Sequence, residues 1–431
     1  MNKTLLPWNR PPKILTAGEH RTVRGNFLSL AALQSVNYIL PILVLIYLIR
    51  VIGPERYGLI AFAQSLIQYF LILTDYGFNI TATRQIALFS DQEKKVWQIF
   101  SSVMTVKIIL AGISFLVLLC IVHCIPRFNR DLPVYILSFG TVIGTTLFPM
   151  WLLQGVERMK YIAFINIIFS VIYTMTIFIF VKNPTDYLHV PLLNSLFSIG
   201  TGVFGLYFTL RKFKVKFIAL SYGDIGKQFK AGWNVFSSIA AINAYTATRI
   251  FAVGLLTNNT VTGFYSVAER ISGFIQTFPL DSLSQAIYPR ISKIFAGSKT
   301  RALTLMRKIQ KNTVISYLVV LPVVILLAPW IVKLVCGSKS REVIISTRLL
   351  LVSVFFVVAN AFRVQYLLVC GRSDLYSKMH VLAALIGLPM IFILIYFFSY
   401  TGAAFSTIIL EAGIFLATYF VLKELIIKKH V

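Results

Sequence analysis

The sequence predicts an all-α integral membrane protein, with twelve transmembrane helices in two parallel-repeat six-helix bundles around a central cavity. Three observations carry this expectation: a composition too apolar for a soluble domain, twelve apolar runs of membrane-spanning length, and residues that recur at a nearly constant offset. Of the 431 residues, 57% are hydrophobic and 13% charged, against roughly 45–50% and about 25% in soluble domains. Mean hydropathy is +0.79. Such a chain cannot cover a globule with charge. Its 41 Lys and Arg outnumber 15 Asp and Glu, for a formal charge of +26. In a soluble protein that balance would suggest nucleic acid. Here it asks which side of a membrane the cations occupy, and no nucleic acid is expected as a partner. Cys120, Cys124, Cys336 and Cys370 form no CxxC, and the five histidines lack metal spacing, so no metal site is expected.

A helix of about 20 apolar residues crosses the hydrocarbon core. Runs of that kind occupy 26–49, 57–76, 97–122, 132–153, 161–181, 187–210, 231–256, 262–284, 312–335, 343–369, 379–398 and 401–422. Short connections with Gly, Pro, Asn or charge separate them, as at Gly53-Pro54-Glu55-Arg56 and Lys182-Asn183-Pro184. An even number of spans puts both termini on one side. Of the 41 cations, 28 lie on that side, 8 on the other, and five within spans. Short cytoplasmic loops hold the excess of Lys and Arg, so both termini are expected in the cytoplasm, as in a bacterial inner-membrane protein. The opposite loops are too short to hold a folded catalytic domain.

The first 25 residues carry five cations and no apolar core, and read as a basic arm against anionic lipid heads rather than a cleavable leader. The expected organisation is an arm (1–25), a first half (26–210), a basic linker (211–227), a second half (228–424) and a short tail (425–431). Internal matches support the halves. Gly58, Ala63 and Gln64 recur as Gly263, Ala268 and Glu269 at an offset of 205, while Asp75 and Arg84 recur as Asp281 and Arg290 at 206. Leu152-Leu153 with Tyr161 matches Leu367-Leu368 with Tyr376 at an offset of 215. An even number of spans per half makes the repeats parallel.

The run Arg50-Val51-Ile52-Gly53-Pro54-Glu55-Arg56-Tyr57-Gly58, followed by Asp75-Tyr76-Gly77-Phe78 and Arg84-Gln85-Ile86-Ala87, resembles the first helical pair of bacterial polysaccharide exporters. Gly263-Phe264-Tyr265-Ser266-Val267-Ala268-Glu269 and Tyr288-Pro289-Arg290-Ile291-Ser292 resemble the equivalent pair of the second half. That family is the O-antigen (Wzx-type) flippases, in the same superfamily as the multidrug (MATE) exporters and lipid II flippases. The resemblance implies a V-shaped pair of bundles, and movement of an undecaprenyl-pyrophosphate-linked oligosaccharide to the periplasmic leaflet. No cofactor is implied. Coupling to a proton or sodium gradient or to membrane potential, and contact with membrane lipids and the polysaccharide polymerase machinery, would fit that role.

The cations within spans are Lys107, Arg249, Arg270, Arg348 and Arg363. A cation at the bilayer centre costs roughly 2.5–3.5 kcal/mol on insertion scales, so such residues face an interior or a wet cavity. Lys107 lies ten residues into its span, about 15 Å deep. Asn234, Ser238, Tyr245 and Arg249 follow a 4-7-4 spacing, one helical stripe. Ser346, Ser353 and Asn360 repeat every seven residues, with Arg363 three beyond. Two polar stripes ending in arginine suggest two walls of one cavity, with guanidinium groups suited to pyrophosphate. For Arg348, near a span end, snorkelling is the competing reading. Glu269 and Arg270 can instead pair with charges on neighbouring helices. Asp75, Arg84, Asp281 and Arg290 read as gate or loop-capping charges. Glu411 is either a coupling-ion site or the partner of a buried cation.

A multidrug antiporter is the first rival, but its usual cationic substrates would meet a cationic wall. A lipid II flippase differs only in substrate. A membrane-embedded glycan polymerase or ligase needs acidic or histidine catalytic groups and a sizeable external loop.

Overall fold

The computed structural model describes residues 39–297, 299–370 and 372–427; the arm, the start of the first span and the last residues of the tail lie outside them. The described chain is all helix, with no strand. Helix α1 (Ile39–Val51) is followed by α2 (Gly53–Asp75), α3 (Phe78–Leu88), α4 (Glu93–Cys124), the short α5 (Pro126–Asn129) and α6 (Leu132–Leu147). Then come α7 (Met150–Gly155), α8 (Met159–Phe180), a 3-10 turn (Pro184–Leu188) and α9 (His189–Phe213). The second half holds α10 (Tyr222–Thr246), α11 (Thr248–Leu256), α12 (Asn259–Gly297), α13 (Lys299–Cys336), α14 (Arg341–Val369) and α15 (Ser373–Ile427).

Eight described segments are long and apolar enough to cross a membrane, nine if α10 and α11, bent by 42°, make one span. Reaching twelve requires adding α1 and α12 and dividing α15 at Ser399. There the backbone leaves helical geometry at φ 53°. Gly387 and Leu410, from either side of that break, pack together, so α15 is a hairpin of two helices. The outer faces of α13 and α15 are apolar and uncovered: Leu326, Leu334, Leu385, Tyr396 and Phe397 all stand exposed, as lipid-facing residues do. Polar groups turn inward, where neighbouring helices satisfy them.

Each half has its own core. Phe62, Phe70, Phe128, Tyr135 and Phe139 centre the first, and Tyr265, Val343, Leu350 and Ile391 the second. Helix α10 is shared. Its first turns pack with Tyr76 and the α3–α4 core of the first half, Phe236 stacking on Tyr76 at 4.7 Å. Its later turns meet α15. The boundary expected at residue 228 therefore falls inside a cluster that belongs to the first half.

The halves touch where α2 and α12 begin. Gly58 and Gly263, which the sequence pairs as repeat-related positions, face one another there: a Cβ on Gly58 would strike the Asn259 carbonyl, and one on Gly263 the Pro54 carbonyl. Only glycine permits this backbone approach. Two arginines clamp the same end. Arg127 on α5 donates to the carbonyls of Gly254, Leu255 (2.6 Å) and Thr257 (3.1 Å) at the end of α11. Arg50 donates to Leu334 and Val335 (3.2 Å) at the end of α13. Both bridge from the first half to helix C-termini of the second, satisfying orphan carbonyls and complementing the helix dipole. Gly58→Val should force this end apart. Spin labels on α2 and α12 should report a longer distance than in the native protein, and an unchanged distance would refute the closure.

Candidate functional site

Between the halves lies a cavity of about 770 Å³, walled by α1, α2, α6, α8, α9, α10, α11 and α12. A second, of about 430 Å³, opens inside the first half among α2, α3, α4, α6, α7, α8 and α9. Leu71, Thr145, Ser170, Tyr173, Asn194 and Ser198 line both, so the two are neighbouring chambers. Helix periodicity builds the shared wall. Gln64, Gln68 and Asp75 descend one face of α2, and Asn194, Ser198 and Thr201 one face of α9 at helical spacing. Sequence reasoning passed over these amides and hydroxyls because it followed charge. The i, i+4, i+7 stripe on α9 was the signal available.

Of the cations within spans, Arg249 and Arg270 line the central cavity, and Lys107 lines the side cavity. Their surroundings differ. Arg249 Nε lies 3.7 Å from Glu269 Oε1. Its Nη1 donates to Thr407 at 2.9 Å, and Glu411 adds a second acidic neighbour. Arg249 is thus neutralised by carboxylates on two helices. Lys107 is 4% exposed and donates to the Thr145 carbonyl at 3.2 Å, with Asp75 as its nearby opposite charge. Arg270 is exposed to the cavity, near the Tyr57 hydroxyl and with Glu269 as a nearby opposite charge. Among the described residues it makes no salt bridge. The central cavity therefore presents one cation whose charge no direct carboxylate contact cancels.

Arg348 and Arg363 line neither cavity. Arg348 sits on an exposed face and donates to the Ile325 carbonyl at 3.2 Å, the acceptor that Pro329, four residues on, leaves without its helical N–H. Arg363 lies over the rings of Phe415 (4.4 Å) and Tyr419 (5.3 Å) and bonds the Phe415 carbonyl. Both satisfy aromatic or backbone groups of the second half. Transport by Arg348→Ala and by Arg363→Ala should stay near the native rate, with a lower melting temperature for Arg348→Ala. Loss of transport at normal protein levels would return these residues to the substrate path.

The polar stripes also face elsewhere. Ser238 bonds Ser377, and Tyr245 bonds His380 Nδ1 at 2.9 Å, both on α15. Ser353 donates to the Leu350 carbonyl, and Asn360 accepts from Thr418. On this span Asn243, Thr246 and Arg249, beside the 42° bend at Ala247, line the cavity, while Ser238 and Tyr245 of the stripe pack on α15. Arg84 is exposed outside both cavities, whereas Asp75 lines the side cavity. The side chains of Asn234, Asp281 and Arg290 lie outside the described residues. Outside the spans, backbone N–H groups of Lys182 and Asn183 hold the Asp186 carboxyl below its usual range and cap the 3-10 turn.

A helical membrane bundle enclosing a polar chamber between two halves defines a multi-pass membrane transporter. Solved transporters share the fold: a lipid II flippase, MurJ, in an inward closed conformation (TM-score 0.72, 13% identity, 94% of this chain and 87% of that one). An inward-facing multidrug resistance MATE transporter of the MOP superfamily gives a TM-score of 0.68 at 12% identity, over 93% and 98% of the two chains. The chain belongs to the family described as polysaccharide biosynthesis protein, whose profile matches residues 23–295. It is 30% identical to a protein of Escherichia coli (strain K12) described as "Putative O-antigen transporter", over 90% of this chain and 94% of that one. A protein of Shigella dysenteriae with the same description is 25% identical over 91% and 98%. By family the chain is a transporter.

Proposed function

We propose that the protein flips an undecaprenyl-pyrophosphate-linked oligosaccharide of O-antigen type from the cytoplasmic to the periplasmic leaflet of the inner membrane, by alternating access. The observation that carries this reading is Arg270, a guanidinium open to a large chamber whose other charged lining groups, Arg249 and Glu269, are paired with each other and whose remaining wall is amides, hydroxyls and apolar groups. A planar guanidinium binds pyrophosphate through paired charge-assisted hydrogen bonds. Gln64, Gln68, Asn194 and Asn243 offer the hydrogen bonds a sugar needs in exchange for water. The polyprenyl chain stays in lipid, where it loses nothing.

The excess of Lys and Arg on the terminal side supports an orientation with the Gly58–Gly263 end on the periplasmic side and both termini in the cytoplasm. Release then requires the Arg50 and Arg127 clamps to part from the ends of α13 and α11, and the two glycine-bearing helices to separate. The halves rock about the far end, where Phe236 holds α10 to Tyr76. No residue here acts on a covalent bond. The closed charge sets at Asp75–Lys107 and at Arg249–Glu269–Glu411 are the places where a proton, a sodium ion or the membrane potential would act on the cycle.

A multidrug antiporter of the same fold is the alternative the comparisons themselves raise. A chamber lined by two guanidinium groups, Arg249 and Arg270, against one carboxylate, Glu269, disfavours organic cations by repulsion. Cells lacking the protein should accumulate sugar-loaded carrier lipid on the cytoplasmic leaflet. The native gene should clear it, and sensitivity to cationic dyes should stay the same. Dye sensitivity without lipid accumulation would favour the antiporter.

A further inference from the structure

We propose that the side cavity of the first half is a sugar subsite. It takes a neutral pyranose ring of the lipid-linked oligosaccharide, with the amides of Asn79 and Asn194 as its recognising groups. This rests on the flippase reading and adds to it a place where sugars are told apart.

Four features of that chamber point to a neutral carbohydrate. At about 430 Å³ it falls within the range of small-ligand sites, about 300–1,000 Å³. Its charges cancel, since Lys107 is opposed by Asp75 and no other charged group lines it. An anionic group is therefore better placed at Arg270, and the side cavity has no electrostatic claim on it.

Third, the wall mixes ring faces with amides and hydroxyls. Phe148, Phe169, Phe197 and Tyr173 supply aromatic surface for the C–H face of a pyranose. Thr201, Ser170 and Ser198 stand beside the amides. Fourth, the side-chain amides of Asn79 and Asn194 line the chamber but make no side-chain hydrogen bond among the described residues. Asn166, by contrast, donates to the Ile162 carbonyl on its own helix at 2.9 Å. A free primary amide offers two donors and an acceptor, which matches the donor and acceptor pairs of adjacent sugar hydroxyls. Asn194 also lines the central cavity. The side chamber therefore adjoins the one in which a pyrophosphate at Arg270 would sit.

The test compares binding of two probes to the purified full chain in lipid nanodiscs. One is undecaprenyl pyrophosphate alone, and the other is the same lipid carrying a neutral hexose or N-acetylhexosamine. The native protein should bind the best sugar-bearing lipid about tenfold more tightly, the scale of two added hydrogen bonds. Asn79→Ala should shrink this preference while leaving affinity for the bare lipid unchanged, which also shows that the variant is folded, and Asn79→Ala with Asn194→Ala should bring the two lipids level. If the double variant does not fold, Asn194→Ser alone should shrink the preference in the same way. Arg270→Ala should weaken both lipids equally. A native protein that binds both lipids alike, or a variant that keeps the preference, overturns the subsite and leaves the flippase reading standing. A native protein that binds neither lipid overturns both.

Discussion

Arg270→Ala is expected to lower the translocation rate roughly 10- to 100-fold, the cost of losing hydrogen bonds to a charged group. The protein should remain in the membrane at normal levels. The reason is its setting: the side chain is exposed to the chamber and, among the described residues, held in no salt bridge. Glu269, its nearby carboxylate, keeps Arg249 as its ion-pair partner, so removing Arg270 takes away chiefly an interaction with the substrate. Arg270→Lys should recover only part of the rate, because a point charge replaces a planar fork of donors. Equal rates for Ala and native would show that pyrophosphate is held elsewhere. An unfolded or absent variant would show that Arg270 is structural.

Arg249→Ala should behave differently, as a stability mutation. The side chains of Arg249 and Glu269 are 14% and 25% exposed, and Glu411 is a second acidic neighbour of Arg249. Removing the cation leaves both carboxylates without it in a low-dielectric interior, which costs about 3–5 kcal/mol for a buried pair broken on one side. A fall in melting temperature and in protein level should accompany the loss of transport. The triple change Arg249→Met, Glu269→Gln and Glu411→Gln removes all three charges, and it should regain stability without regaining full transport if the set also couples the cycle to an ion. A single variant that is stable yet inactive would move Arg249 into direct contact with the substrate.

These contrasts show what the sequence could and could not carry. Hydropathy and the positive-inside count describe one dimension, and the helices fell close to the expected runs, down to the break at Ser399 between the last two. The repeat at Gly58 and Gly263 was legible as spacing, and in the structure those two residues meet. Charge placement was harder. Five intramembrane cations suggested a strongly positive chamber, but a count of cations omits their partners. Lys107 finds Asp75, and Arg249 finds Glu269 and Glu411. Arg348 finds a carbonyl freed by a proline, and Arg363 finds two aromatic rings. Each contact joins two different helices, so no spacing rule within one helix exposes it.

The polar stripes failed for a related reason. In a membrane bundle a run of Ser, Asn and Tyr on one helical face marks either a wet cavity or a contact with another helix, and both satisfy the same groups. At Ser238 and Tyr245 of α10 and at Asn360 of α14 it marked a contact with α15. On α9, where Asn194, Ser198 and Thr201 repeat at the same spacing, it marked the cavity. What separates them is the bend after Thr246 and the packing of α15, which are tertiary facts.

The most direct measurement is translocation in reconstituted vesicles. Undecaprenyl-pyrophosphate oligosaccharide is placed in both leaflets, and the loss of the pool accessible to an external sugar-modifying enzyme is followed with time. The native protein should carry the protected pool outward until nearly all of it is modified, and Arg270→Ala should leave about half protected over the same interval. If the protected pool stays intact with native protein, the assignment of a lipid-linked sugar as the cargo of this chamber is contradicted.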